Sequence, residues 1–322
     1  MAELPNPYFL DGISDAGQRS QCEAVFNLVA DHVEKCMRWA TDVFWTCHRA
    51  PAPGLSRAYY HHAPLMVAWH AIESIDGVGV LLRRGAVNAC APLLRSAIEA
   101  QMGLAYILEK DTEDRAMAYL VYDIHTRIAD NKKFDPGTMQ GKDFHSKLKN
   151  DEIWNSLPPL NPPEPLTVRV QKQEAVLQKT EYAKAEAEWQ RLKGLGKKFN
   201  WYTMFSGPAN VLELAKATDQ LSTYELLYRN YSDSVHAGNA AKRVFALGDG
   251  KMSIQPLRLP TEIERCAQLT VAFCAMVATN LIQFYVKEED KGPLFSRYVH
   301  DIMPVQKSLD QNRLKIQHGN EK

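Results

Sequence analysis

Apolar positions along most of the chain recur every three or four residues, the spacing that places them on one face of an α-helix. In segment 18–47 this face consists of Ala24, Val25, Leu28, Val29, Val33, Met37, Ala40 and Val43. Similar segments lie at 62–84, 86–109, 112–132, 210–217, 223–237 and 262–286. The pair 62–84 and 86–109 predicts a helical hairpin turned at Gly85. Only 244–260, around Gly248-Asp249-Gly250, predicts a short strand pair. We therefore predict an all-α protein built as a helical bundle.

Proline-rich and charged segments suggest how the chain is divided. Five prolines fall between 157 and 165 and exclude regular structure there. The following stretch, 172–193, is rich in Glu, Lys, Gln and Ala and has few apolar positions. This pattern predicts a charged, protruding hairpin arm, a helix packed along one narrow stripe, or a solvated surface helix. We predict an N-terminal tail at 1–17, a bundle domain at 18–290 with an insertion at about 157–200, and a polar C-terminal tail at 291–322.

Charge and cysteine usage change this picture by excluding several classes of protein. Lys+Arg and Asp+Glu both total 38, so the net charge is zero and any nucleic-acid contact must be local. The six cysteines form no Cys-x-x-Cys pair, which argues against a zinc site and favours a reducing compartment. Segment 1–16 has no apolar signal-peptide core, and the apolar run 269–286 contains polar residues typical of a buried helix. We expect a cytoplasmic protein without membrane contact.

The candidate chemistry lies in the segment from Tyr228 to His236. In a helix, Arg229 and His236 point the same way but stand about 10 Å apart along the axis, with Ser232 between them. A guanidinium and a titratable imidazole so placed suit phosphate chemistry, in which the histidine transfers protons and the arginine stabilises charge. The alternative is that Glu225 or Asp233, each four residues from Arg229, merely forms an ion pair with it.

Three further groups are weaker candidates. Arg95 and Glu99 lie four residues apart and form either a structural ion pair or part of the same pocket as His236. The histidines His61, His62 and His70 lack a Glu-x-x-His pattern, so we predict neither a metal nor another cofactor. The third group combines cations and aromatic rings, as single-strand-binding surfaces do, although a helix end followed by core aromatics is the alternative. Its members are Lys193, Lys197, Lys198, Trp201, Tyr202 and Phe205.

Two motifs resemble known families. Arg229-Asn230 followed by His236 resembles the Arg-x4–6-His motif of the HEPN superfamily (higher eukaryotes and prokaryotes nucleotide-binding). The chain also resembles an uncharacterised bacterial helical family with a Tyr-x3-Ser-x3-His signature, matched by Tyr228, Ser232 and His236. That family carries a Leu-Arg-Ser-x2-Glu stretch, matched at 94–99, and an aromatic entry, matched at 201–202. The resemblance spans roughly residues 60–290.

The HEPN resemblance implies a metal-independent endoribonuclease that works as a homodimer with a composite cleft, in phage defence or a toxin–antitoxin system. It implies that His236 is the acid and base, that Arg229 stabilises the pentacovalent phosphate, and that Asn230 orients the site. Tyr228, Ser232, Arg95 and Glu99 would support them. The implied partners are RNA, a second copy and an antitoxin or defence protein.

Two other functions stay open at this stage. One is a non-catalytic binding or scaffold protein, in which the charged pairs only hold the bundle together. The other is a small-molecule-binding protein whose site is lined by Trp69, Tyr106 and Tyr228.

Overall fold

The structure, a computed structural model, describes residues 16–49, 59–158, 162–235, 240–248, 251–254, 257–258, 261–304 and 307. Nearly all of these residues are helical, which confirms the predicted all-α class. The long helices are α1 (Ala16–Arg49), α2 (His62–Arg83), α3 (Cys90–Glu109), α4 (Thr112–Phe134) and, after the shorter helices named below, α12 (Ile263–Tyr285). The predicted strand pair is also present, since β1 (Val244–Gly248) and β2 (Lys251–Ile254) pair antiparallel.

The chain forms two compact units. The first unit comprises Met1–Glu109 together with Leu214–Lys322, and the second comprises Lys110–Glu213. The second unit is longer than the insertion expected at about 157–200, because α4, α5 (Met139–Leu148) and α6 (Glu152–Ser156) belong to it as well.

The core of the first unit is a bundle of α1, α2, α3 and α12, in which α1 packs on α2 and α12, and α3 packs on the same two helices. The apolar stripe expected along α1 is buried at Val29, Val33 and Val43, whereas Leu28 lies on the flank and stays 48% exposed. By length and composition alone α2 and α12 could each cross a membrane, but both also serve as central helices of this bundle. All six cysteines are buried, as small apolar residues would be.

The hairpin between α2 and α3 turns at Gly85, as predicted. Gly85 has φ of +65°, a conformation that costs little only for glycine. A Cβ at this position would lie 2.5 Å from the ring of Phe26 on α1. The turn therefore needs glycine both for its backbone and for the close approach of α1.

The segment predicted as one helix over 223–237 has a different local structure. It follows α9 (Val211–Ala217) and begins with α10 (Leu221–Thr223). It then widens into a π-helical turn at Tyr224–Tyr228 and continues as α11 (Arg229–Val235). A π turn inserts one residue into the helical repeat, and such turns often mark functional sites. Both the π turn and α11 pack on α3.

In the second unit, shorter elements pack around α4. They are α5, α7 (Leu166–Leu177), α8 (Ala183–Gly194) and a 3₁₀ helix at Trp201–Ser206. The charged stretch expected as one helix over 172–193 is split between α7 and α8. Both contact α4, through the ion pairs Lys132–Glu174 and Lys184–Asp114. This charged stretch therefore packs against α4.

Candidate functional site

Two short motifs of the first unit meet where the π turn and α11 pack on α3. Arg95 and Glu99 are one helical turn apart on α3, and Tyr228 and Ser232 are one turn apart on the facing segment. Residues at this spacing share a helix face, so each motif presents two polar groups to the other. Four of the seven predicted site residues are thereby brought together.

Arg95 is the centre of this cluster. Its Nε donates a hydrogen bond to Ser232 Oγ at 2.9 Å, and its Nη2 donates to the Tyr228 hydroxyl at 2.6 Å. Nη2 also lies 3.7 Å from Glu99 Oε2, and the guanidinium carbon lies 4.7 Å from the centre of the Tyr228 ring. Arg95 is thus held by hydrogen bonds, an ion pair and a cation–π contact, which together fix its orientation.

The tyrosine of the cluster is a fixed donor. The Tyr228 hydroxyl donates to Glu99 Oε2 at 3.0 Å. Burial, followed by the neighbouring Glu99 carboxylate, raises the pKa of Tyr228 well above its usual range, so the hydroxyl stays protonated near neutral pH. The Arg95 and Glu99 side chains keep 31% and 39% of their surface exposed. The cluster is therefore buried on the side of Tyr228, and its Arg95 and Glu99 side chains are open to a ligand.

A family model matches residues 61–252, which is more than half of the chain. The chain belongs to DUF5677, a family of unknown function. No curated protein and no solved structure matches it significantly. The DUF5677 match confirms an uncharacterised family but provides no link to the HEPN superfamily, so that resemblance rests on the motifs alone. All four residues of the Arg95 cluster fall inside the DUF5677 region.

Arg229, the cation that the sequence favoured, does not join the cluster. It directly follows Tyr228, so it projects about 100° round the helix from the side that contacts α3. Its Nη1 donates to Glu225 Oε2 at 2.6 Å, and its side chain is 63% exposed. Asn230 is likewise exposed and donates to the Leu226 carbonyl oxygen. The rival explanation for Arg229, an ion pair within its own helix, therefore matches the geometry.

His236 lies outside the described residues, and its role stays a prediction. Of the histidines predicted as weaker candidates, His70 has its Nε2 2.9 Å from the Oγ of Ser96, which is next to Arg95 in sequence. The His61 carbonyl oxygen accepts a hydrogen bond from the Tyr285 hydroxyl. Within the described ranges, no group of three His, Cys, Asp or Glu side chains could hold a metal ion.

The remaining sequence candidates have contacts within their own units. Trp69 packs against Phe44 and Trp45 of α1, and its indole Nε1 donates to Glu73 Oε1. The predicted cation and aromatic group belongs to the second unit. There Lys193 lies over the Trp189 ring, and Trp201 packs edge-to-face on Tyr119.

Sequence reasoning gave Arg95 only a supporting role. Its signal was present in the Leu-Arg-Ser-x2-Glu motif and in the four-residue step from Tyr228 to Ser232. What the sequence could not supply was the pairing of these two faces, which depends on how the π turn packs on α3.

Proposed function

We propose that this DUF5677 protein is a HEPN-like, metal-independent endoribonuclease whose phosphate-binding cation is Arg95. The observation that carries the proposal is the fixed guanidinium of Arg95 between Tyr228 and Ser232 of the signature motif. The proposal keeps the reaction implied by the motifs and moves the arginine role from Arg229 to Arg95.

The chemistry requires a cation that is already in place. When the ribose 2′-OH attacks the adjacent phosphate, negative charge builds up on the pentacovalent phosphorus, and a pre-oriented guanidinium lowers the energy of that state. Arginine has five N–H donors. Ser232 and Tyr228 occupy one each and Glu99 lies 3.7 Å from Nη2, so in this proposal the phosphate binds the two N–H groups of Nη1 on the open face.

In this proposal His236 transfers the protons, taking one from the 2′-OH and giving one to the leaving 5′ oxygen. The support is its spacing, since His236 follows Ser232 by the same four residues that separate Ser232 from Tyr228. The partners are RNA, a second copy that completes the cleft, and an antitoxin or defence protein, all in the cytoplasm.

The test is cleavage of labelled single-stranded RNA and of bulk tRNA by the purified full-length protein in EDTA. We expect cleavage products ending in 2′,3′-cyclic phosphate. Loss of a transition-state donor typically costs about 10²–10³ in rate, so Arg95→Gln should show a loss of that order, and His236→Ala should be inactive. Arg229→Gln is the matched control, because it removes an arginine on the neighbouring face and should cleave like the wild type.

Two results would overturn the proposal. One is a folded wild-type protein that cleaves no RNA in either substrate set. The other is an Arg229→Gln variant that loses activity while Arg95→Gln keeps it, which would return the cation role to Arg229.

A second function, a non-catalytic scaffold or binding protein, is favoured by one specific observation. The Glu99 carboxylate lies within 3.7 Å of the Arg95 guanidinium and neutralises it, as in an ion pair that only joins two helices. In that case Arg95→Gln lowers the melting temperature, and no variant differs from the wild type in an RNA assay.

A further inference from the structure

A separate cavity lies beside α11 and the start of α3. It has a volume of about 360 Å³ and is bounded by the start of α3, by the π turn and α11, and by the start of α12. This volume falls at the lower end of the range of roughly 300–1,000 Å³ found for small-molecule sites. Its lining includes none of the four cluster residues, so it is a distinct site.

The charged groups of the cavity favour a single negative charge. Arg243 and Arg265 line it together with one acid, Glu262. Arg265 Nη1 lies 3.5 Å from Glu262 Oε2, so the charges of these two side chains nearly cancel. Arg243 has no ion pair within the described part of the chain. The two arginines and one glutamate therefore give the described lining of the cavity a net charge of +1.

Neutral donors complete the polar side. Asn230, Tyr231 and Ser234 line the cavity from α11, and the Asn230 amide and the Ser234 hydroxyl also donate to the backbone carbonyls of Leu226 and Asn230. Burial raises the pKa of Tyr231 to about 12, so its hydroxyl remains protonated and can donate a hydrogen bond to an anion. The lining also includes apolar residues, among them Leu94 on α3 and Leu227 in the π turn.

The size of the cavity limits the ligand. At about 30 Å³ for each non-hydrogen atom, the share of one water in the liquid, 360 Å³ accommodates about a dozen atoms. A phosphate monoester carries roughly −1.5 to −2 charges at neutral pH, whereas a carboxylate carries one. The net charge of +1 therefore matches a carboxylate better than a phosphate.

We propose that this cavity is a binding site for a small organic carboxylate with an apolar body of about ten atoms. The forked donors of Arg243 and Arg265 hold the carboxylate, and the hydrocarbon lies against Leu94 and Leu227. The site is independent of RNA cleavage and goes beyond the proposed function.

The test uses octanoate as the probe, with octanol and octylammonium as neutral and cationic analogues of similar length. Binding to the full-length protein is measured by isothermal titration calorimetry and by ligand-observed NMR. We expect saturable binding of octanoate at millimolar concentration or below, and at least tenfold weaker binding of both analogues.

Variants locate the binding in the cavity. Arg243→Gln and Arg265→Gln should each weaken octanoate binding about tenfold or more, since each removes a charge-assisted hydrogen bond. Arg229→Gln is the matched control, because Arg229 is an arginine on α11, a helix that borders the cavity, but does not itself line it; the substitution should leave binding unchanged. Leu227→Trp fills the apolar half and should abolish binding while keeping every charge, and circular dichroism establishes that each variant is folded.

Three results would overturn the proposal. The first is the absence of octanoate binding to the folded wild-type protein at millimolar concentration. The second is equal affinity for octanol, which would show that the arginines do not select an anion. The third is octanoate binding that neither the arginine substitutions nor Leu227→Trp weakens.

Discussion

Replacing His32 with leucine should make the protein more resistant to acid. His32 lies in α1 with only 1% of its surface exposed, and neither ring nitrogen has a hydrogen-bond partner among the described residues. Burial, followed by the charge of Lys35, lowers the pKa of His32 from 6.5 to about 4. In the folded protein the His32 imidazole therefore stays neutral at a pH at which the same imidazole in the unfolded chain is already protonated.

The sign and size of the effect follow from proton linkage. Between pH 6.5 and 4 the unfolded state binds the extra proton, so the free energy of unfolding falls as the pH falls through this window. Above pH 6.5 the contribution is constant. The two pKa values differ by about 2.5 pH units, and each unit corresponds to about 1.4 kcal/mol. The free energy of unfolding therefore falls by about 3 kcal/mol by pH 4. His32→Leu should remove this loss and also the two unpartnered buried nitrogens.

The assay is urea unfolding, followed by circular dichroism and tryptophan fluorescence, at several pH values from 7.5 to about 4.5. Burial also lowers the pKa of His61 and His125, so the wild-type protein loses stability in acid through these groups as well. For that reason the difference between variant and wild type is the quantity to compare. His300→Leu, at an exposed histidine, is the control and should keep the wild-type pH dependence. If His32→Leu and the wild type lose stability in parallel between pH 6.5 and 4.5, the reasoning is refuted.

Two further predictions concern stability at neutral pH. Tyr228→Phe removes the hydroxyl that joins Arg95 to Glu99, and it should lower the free energy of unfolding by about 1–2 kcal/mol in urea titrations. Tyr224→Phe, in the stacked neighbouring ring, is its control, and equal losses from both would contradict a specific role for the Tyr228 hydroxyl. Gly85→Ala should lower the free energy of unfolding by about 2 kcal/mol or more, because it combines a left-handed backbone with a contact of 2.5 Å between the new Cβ and the Phe26 ring. Gly292→Ala, which meets open space in helix α13 (Glu288–Arg297), should change the melting temperature little, and a similar loss at both glycines would refute the argument.

The sequence was sufficient to predict those parts of the fold that depend on local pattern. The three-to-four spacing along 18–47 predicted α1, because burial of one helix face is a property of consecutive residues. Gly85 marked the turn between α2 and α3, since a residue without Cβ is needed there. The sequence Gly248-Asp249-Gly250 predicted the strand pair formed by β1 and β2.

The parts that depend on packing between distant segments were not predictable in this way. Segment 112–132 has the same helical pattern as the bundle helices, yet as α4 it belongs to the second unit. Periodicity shows that a helix has an apolar face, but it does not show which other helix covers that face. The prolines at 157–165 suggested that the inserted segment begins there, whereas the second unit begins at Lys110.

The choice between Arg95 and Arg229 illustrates the same limit at the candidate site. An ideal helix over 223–237 would place Arg229 and Ser232 60° apart, close enough to suggest a shared site. The contacts favour Arg95, which is 137 positions from Ser232 in sequence and 2.9 Å from it in space. Tyr228 distinguishes the two arginines by its contacts, because its hydroxyl and its ring both contact Arg95 from the side of the helix that faces α3. Arg229, one residue later, then has to face solvent, where Glu225 is its nearest available partner.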